Sequence, residues 1–302
     1  MSEPIVVSGP VREALAERRP VVALESTIFT HGLTRPRNVA VALAAEQQLR
    51  DAGAVPATVG VVDGVPTVGL SEEQIVTLGD AESEVVKVGI RDLPMAALKR
   101  THGGTTVAAT AFLAHHAGIG VFATGGLGGV HRGAATTFDE SADIVALASI
   151  PILVVSAGVK SVLDVPATLE RFETLGVVVA GYRTVRFPGF YVRDSGCVVD
   201  DITSPEDAAA LARARDALGL RSAVVVGNPV DASAQVDPEL HDRVLVEAER
   251  EAAGSGLRGK SLTPFLLEHM HRATDGRTLE TNIAAYQGNV ALGAAIARAL
   301  VS

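Results

Sequence analysis

The sequence predicts an α/β fold: a three-layer α/β/α sandwich around a mixed, mostly parallel sheet. Three observations lead there. Apolar runs of about eight residues or fewer, such as 118–123 and 150–157, recur along the chain, often bounded by glycine, as strands buried on both faces do. Helical stretches alternate with them from end to end, the order of a parallel sheet with crossover helices. Asp63 and Gly64 sit between two apolar runs and mark a hairpin, which makes part of the sheet antiparallel.

Residues 11–17 read as a short helix, and PVVAL (20–24) as a buried strand ending at Glu25. Residues 36–52 read as a long alanine-rich helix closed by Gly53. Segments 56–62 and 65–69 flank the hairpin turn, and 84–88 is a strand that carries Lys87. A tight turn at Gly103 and Gly104 precedes a helix over 105–117. The strand 119–123 enters a glycine-rich loop, TGGLGG, at 124–129. A helix over 139–148, a strand over 152–156, a helix over 165–175 and a strand over 177–181 follow. Ser204 caps a helix over 205–218, with Pro205 at its start, and 222–226 is a strand. Helical segments near 238–252, 264–272 and 278–301 close the chain.

The 302 residues suit one large domain or two small ones. No repeat, low-complexity segment or linker divides them, so residues 1–302 are read as a single domain. A net charge of −9 without a basic block argues against non-specific nucleic-acid binding. Hydrophobic residues at 47% against 20% charged residues describe a globular chain. One cysteine, Cys197, excludes an intrachain disulfide framework and a multi-cysteine metal site, and fits a reducing compartment. The N-terminal stretch lacks a basic region followed by an apolar one, and no apolar run approaches the roughly 20 residues of a spanning helix. A soluble cytoplasmic protein without membrane partners is expected.

Ligands of open α/β sheets sit beyond the carboxyl ends of the strands, so the polar residues there are the candidates. Glu25 is delivered by an apolar strand, and apolar neighbours raise a carboxyl pKa toward proton donation near neutral pH. Only four lysines occur: Lys87, Lys99, Lys160 and Lys260. Lys87 lies in the apolar run VVKVG; there its ammonium needs a partner or an anionic ligand, whereas on an outer edge strand it is an ordinary solvated charge. Lys160 ends PILVVSAGVK, where a partly desolvated amine can attack a carbonyl and form a Schiff base. Lys99 reads as a helix C-terminal charge, and Lys260 as a loop residue able to meet an anion.

The run TGGLGGVHRGA fits neither a dinucleotide fingerprint nor a Walker A loop. It is either a tight structural turn or a backbone approach to a ligand, with His131 and Arg132 beside an anion. Amides at the helix start after Gly103 and Gly104 can cradle a phosphate. Asp139, Glu140 and Asp143 exceed what helix capping needs and can hold a hard divalent cation. His115 and His116 are adjacent and cannot face one site from one helix, and no zinc signature is present.

Together these stretches resemble the pseudouridine-5′-phosphate glycosidase family, also called the indigoidine synthase A-like family. The matching segments are ALESTIFTHGL (23–33), VGVVDGVPTVGL (59–70), VKVGIRDLP (86–94), GGTTVAAT (103–110), FATGGLGGVHRGA (122–134), FDESADIVAL (138–147), VVSAGVKSVLDVPATLE (154–170) and LETNIAAYQGNVALGAAIA (279–297). They cover nearly the whole chain in order.

The resemblance implies an α/β/α sandwich assembled as a homotrimer. It implies reversible conversion of pseudouridine 5′-phosphate and water to uracil and ribose 5-phosphate, by an enzyme classed among the lyases that acts as a C-glycosidase. On the matching positions, Lys160 is implied as the nucleophile that forms a Schiff base with C1′ of the ring-opened ribose, and Glu25 as the proton donor. Asp139 is implied as ligand of one Mn2+ per subunit, with water completing the shell. Lys87, Val107, Ser141, Ala142 and Asp143 are implied as substrate and phosphate contacts, with His131 and Asn282 facing the same site. Two other readings share part of the pattern. An aldolase-type lyase on a phosphosugar uses Lys160 and the phosphate contacts equally well but needs no uracil pocket. A non-catalytic phosphosugar-binding protein needs no Glu25 and Lys160 pair.

Overall fold

The computed structural model describes residues 5–80, 82–255, 257 and 262–302. Lys260 lies outside the described residues.

The chain opens with β1 (Val6–Val7) and α1 (Gly9–Ala16), then enters β2 (Val21–Glu25). Every residue of β2 is buried, because parallel neighbours flank it on both sides. A short helix, α2 (Thr27–His31), follows directly and was not expected from the sequence. Next come α3 (Arg37–Asp51) and the hairpin of β3 (Val55–Val62) and β4 (Val65–Val68). Its turn residues Asp63 and Gly64 both have positive φ, 48° and 79°, as the dipeptide implies. A capping box between Ser71 and Gln74 starts α4 (Glu72–Gly79), another unexpected helix.

β5 (Val85–Val88) carries Lys87. After α5 (Leu93–Lys99), residues Gly103 and Gly104 form no turn but lie within β6 (His102–Thr105). Glycine suits this strand because a β-carbon on Gly104 would stand 2.1 Å from Thr30 Oγ1. Thr106 then caps α6 (Val107–His116). β7 (Val121–Ala123), the short α7 (Ala134–Thr137) and α8 (Ala142–Ser149) follow. The helix expected from residue 139 starts at Ala142, since Ser141 is its cap and Glu140 bridges to Val130 in extended form.

β8 (Leu153–Ser156), α9 (Val165–Thr174), β9 (Val178–Tyr182), the unexpected β10 (Asp200–Ile202), α10 (Pro205–Ala217) and β11 (Val224–Gly227) complete the sheet region. The chain ends in α11 (Pro238–Gly254), α12 (Leu262–Ala273) and α13 (Arg277–Val301).

Among the described residues eleven strands form one sheet in the order β1-β4-β3-β2-β7-β8-β11-β9-β10, with β6 on β3 and β5 on β6. Antiparallel pairing is confined to the two contacts of β3 with β4 and β6; the other pairs are parallel. Alternate residues of one strand enter opposite cores. Val21 and Ala23 belong to the core that residues of α1, α6, α8 and α9 also enter, whereas Val22 and Leu24 belong to the core shared with α3, α4, α10 and α13. Helices therefore cover both faces, and the predicted three-layer architecture with a mixed, mostly parallel sheet is the observed one. Among the described residues no helix is long and apolar enough to cross a membrane.

Candidate active site

Four adjacent parallel strands, β2, β7, β8 and β11, end on the same side of the sheet. Glu25 is the last residue of β2, Thr124 follows β7, Lys160 lies four residues beyond β8, and Asn228 follows β11. This is where an open α/β sheet presents a crevice to a ligand.

Glu25 is 4% exposed, and its Oε1 accepts a hydrogen bond from the Thr124 hydroxyl. Burial lifts its carboxyl above the ordinary carboxylate range, because the charged form loses water. Lys160, the Thr124 hydroxyl and Lys87 pull it back down in part, while Asp143 pushes it further up. Glu25, Lys160, Lys87 and Asp143 therefore share one electrostatic neighbourhood, although they come from four separate stretches of chain.

Lys160 is half-buried and held by its main chain: its N–H donates to the Leu127 carbonyl at 3.0 Å. The Leu127 N–H in turn donates to Gly158 at 2.9 Å. The glycine run thus prolongs β7 alongside the segment that carries Lys160. It also approaches α8 closely, since a β-carbon on Gly128 would stand 2.3 Å from Ser141 Oγ and 2.5 Å from Asp143 Oδ2. Arg132, expected beside an anion, is paired with Glu249 of α11 at 2.7 Å.

Lys87 is exposed on β5, which pairs with β6 alone, so the argument from a buried lysine does not hold. Its charge nevertheless acts on Glu25, His31 and His131. The His131 main-chain N–H donates to the Asp139 carbonyl at 3.0 Å. Burial lowers the His131 pKa, the neighbouring Asp139 raises it and Lys87 lowers it, leaving it below the ordinary histidine value. His31 at the end of α2 is depressed as well, by desolvation first and by Lys87 second. His131, Asp139 and the exposed Phe138 line a cleft of about 760 Å³ against Val162 and the α11–α12 pair. A separate hollow of about 790 Å³, lined by Arg19, Glu46, Arg50 and Thr67, contains none of the expected site residues.

The three acids expected near residue 140 do not converge. Glu140 pairs with Arg171 at 3.1 Å. Asp143 accepts from the Ala108 N–H at 2.9 Å and the Gly128 N–H at 2.8 Å, tying α6 and the glycine run to α8. Ser141 accepts from the Asp143 N–H at 3.2 Å, and Ala142 is the exposed first residue of α8. The amides expected to cradle a phosphate at the start of α6 are partly spent, on Asp143 and on the Thr106 cap. Val107, buried, begins that helix.

Among the described residues no three His, Cys, Asp or Glu side chains gather around a point. Asp139 is thus the one acid of the three whose carboxylate is not engaged with Arg171 or with backbone amides. A single carboxylate suffices for a hard divalent cation that keeps most of its waters, so the residues present fit an aquated ion rather than a caged one.

On α13, Asn282 is nine-tenths buried, its Oδ1 lacks a hydrogen-bond partner, and that oxygen faces Gly125. Two turns further on, Asn289 donates to the carbonyls of Thr124 at 2.7 Å and Gly125 at 3.3 Å. Thr124, Asn228 and Asn289 were not anticipated. Two asparagines seven apart on the apolar face of one helix were the signal available in the sequence.

A model of indigoidine synthase A like proteins matches residues 10–299 of the chain. A pseudouridine-5′-phosphate glycosidase of Saccharopolyspora erythraea is 64% identical over 296 residues, which cover 98% of this chain and 97% of the relative. A protein of the same name from Frankia alni is 55% identical over 98% of this chain and 82% of its own length. Two solved structures share the fold. The prealnumycin C-glycosynthase AlnA in complex with ribulose 5-phosphate is 34% identical with a TM-score of 0.91, over 98% of this chain and 97% of that one. An indigoidine synthase A-like protein of Thermotoga maritima is 33% identical with a TM-score of 0.90, over 100% and 99%. Sequence and fold agree along the whole length: the chain belongs to the indigoidine synthase A-like family.

Proposed function

We propose that this chain reversibly cleaves the C–C glycosidic bond of pseudouridine 5′-phosphate, giving uracil and ribose 5-phosphate. The observation that carries the reading is a buried Glu25, its carboxyl pKa raised by desolvation, in the same electrostatic neighbourhood as Lys160, in a chain 64% identical to a protein named for that substrate. The neighbour that binds ribulose 5-phosphate supports a pentose phosphate as the partner of this crevice, and its name supports C–C bond formation as the reverse sense of the same chemistry.

In this reading the Lys160 amine bonds to C1′ as the C1′–O4′ bond breaks, O4′ taking the proton the amine gives up, and the ring-opened adduct becomes an imine only when the C1′–C5 bond breaks and the nitrogen lone pair closes onto C1′. Glu25 delivers the proton that uracil C5 must gain before the C1′–C5 electron pair can leave C1′ with the base. Water then hydrolyses the imine, returning the free amine and ribose 5-phosphate. An ordinary glycosidase with two carboxylates relies on a heteroatom leaving group, which a ring carbon is not. In this reading His131, Lys87 and the start of α6 near Val107 meet the phosphate, with Ser141 to Asp143 as further substrate contacts. Asp139 is the residue to hold Mn2+, which when bound supplies positive charge for the phosphosugar oxygens. Asn282 offers an acceptor to a base N–H. The functional unit in this reading is a cytoplasmic homotrimer.

The test is uracil release from pseudouridine 5′-phosphate together with borohydride trapping of ribose 5-phosphate. Wild type and Lys99→Ala are expected to release uracil and to be labelled; Lys160→Ala and Lys160→Arg are expected to do neither, since arginine keeps the charge but forms no imine. Turnover of a phosphosugar without uracil release would support an aldolase-type lyase instead, and labelling retained in Lys160→Ala would remove Lys160 from the chemistry.

A further inference from the structure

The ladder between β7 and β8 breaks its pattern at one residue beside Glu25. Thr124 N–H donates to the Val155 carbonyl at 3.0 Å, so a regular parallel ladder would bring the Ala157 N–H to the Thr124 carbonyl. The Ala157 N–H goes instead to Gly125 at 2.9 Å. One residue is skipped, and the Thr124 carbonyl is left without a strand partner. Such interruptions occur beside active sites, where they aim a side chain.

A buried carbonyl needs a donor. Asn289 provides it at 2.7 Å from the α13 side of the sheet. Asn289 is fully buried, and its own Oδ1 accepts from Asn228 Nδ2 at 3.0 Å, while the Asn228 main chain is fixed by its N–H on Ser156 at 2.8 Å. Both ends of the amide are therefore determined. Across the sheet, Leu24 pairs in register with Ala123, so Glu25 and Thr124 are the next pair and project from one face. The Thr124 hydroxyl that donates to Glu25 thus sits on the peptide that Asn289 holds.

We propose that Asn289 is a positioning residue for the proton-delivering carboxylate: it holds the skipped Thr124 peptide, and so keeps the Thr124 hydroxyl on Glu25. This rests on the function proposed above. Lys160, Lys87, Asp143 and Tyr286 are the other charged or titratable groups that act on Glu25. A hydroxyl donating to a carboxylate favours its charged form, so losing it raises the proton affinity of Glu25. Activity that needs protonated Glu25 declines as pH rises through that pKa, and the alkaline limb moves upward when the hydroxyl is lost.

The experiment compares wild type with Asn289→Ala, Asn289→Asp, Asn228→Ala, Thr124→Val, Thr124→Ser and the Asn289→Ala/Thr124→Val pair, each checked for cooperative thermal unfolding. Uracil release is followed against pH. Asn289→Ala and Thr124→Val are expected to lose about 10- to 100-fold in kcat, with KM changed far less, and to move the alkaline limb upward. The double variant should be no slower than Thr124→Val, because both changes cut one connection. Thr124→Ser should restore activity, and Asn228→Ala should move the limb in the same direction by less. Should Asn289→Ala or Asn289→Asp fail to fold, the Thr124 and Asn228 variants decide. An unmoved limb in the folded Asn variants, or losses that multiply in the double variant, would overturn the proposal. Infrared titration of the Glu25 carboxyl band, assigned by its loss in Glu25→Gln, separates this outcome from failure of the functional reading. A shifted band without uracil release leaves the positioning role standing and removes the substrate; uracil release with an unshifted band does the reverse.

Discussion

Glu25 condenses the physics of the site into one side chain. Its folded pKa is raised by burial above the unfolded value, so it binds a proton more tightly in the native state. The stability tied to that proton is fully present below the unfolded pKa and is lost as pH rises through the folded one. Near neutral pH the native state therefore bears the cost of an acid kept dry. Glu25→Gln removes that cost while keeping the shape. We expect it to raise the thermal midpoint by a few degrees, to flatten the dependence of that midpoint on pH, and to lower uracil release by about 10²- to 10⁴-fold. Calorimetry at several pH values with a uracil assay checks both halves, and an unchanged or lowered midpoint would contradict the buried-acid account. Glu25 was recognisable as a candidate because an apolar run delivered it to a strand end. Thr124 was not, because its role is to be the next residue in register with Glu25, and register belongs to the sheet.

At the scale of elements, Asp143 is a clasp between three parts of the chain. Its two carboxylate oxygens satisfy the Ala108 N–H at the start of α6 and the Gly128 N–H of the glycine run. Asp143→Ala leaves the buried Ala108 amide unpaired, at a cost of about 1–3 kcal/mol, and takes the partner from the half-buried Gly128 amide. Urea unfolding should register that loss, and the activity of the variant should fall because the glycine run also carries the hydrogen bond to Lys160. A midpoint equal to wild type would show that water replaces the carboxylate. Gly128→Ala should act in the same direction, since the added carbon meets Ser141 and Asp143 within 2.5 Å. The acids near residue 140 are neighbours in sequence but not in space. Spacing brings Asp139, Glu140 and Asp143 together along the chain, but the cap at Ser141 places Asp139 before the helix and Asp143 inside it, facing different partners.

For the whole molecule, the continuous sheet with a core on each face fixes what remains buried when the solvent changes. Tyr191 belongs to one core and Tyr286 to the other, and burial pushes both phenols well above the ordinary tyrosine value. With folded pKa values above unfolded ones, both contribute stability that is intact below about pH 10 and is lost above it, as the unfolded chain ionises. Alkaline unfolding followed by circular dichroism, with tyrosinate absorbance recorded in parallel, should show the two signals changing together. Tyr286→Phe should move the midpoint to higher pH. In a Tyr182→Phe background, which removes the half-buried third tyrosine, tyrosinate forming well before the loss of secondary structure would contradict the coupling.

The sequence by itself determined the α/β class, most of the long strands and helices, the hairpin turn at Asp63 and Gly64, and the strand ends that carry Glu25 and Lys160. These depend on local patterns: periodicity, caps and glycine placement act within a few residues. Short β1 and β10, α2 after β2 and the two-glycine strand β6 carry little periodicity, and their formation depends on neighbours distant in sequence. Only the tertiary structure decided that Lys87 stands exposed on an edge strand, that Arg132 is taken by Glu249, and that Asn289 reaches the Thr124 peptide from a helix 165 residues away. The reason is physical. Desolvation, charge coupling and the pairing of a buried carbonyl depend on which surfaces meet, and surfaces meet only once the helices have closed over both faces of the sheet.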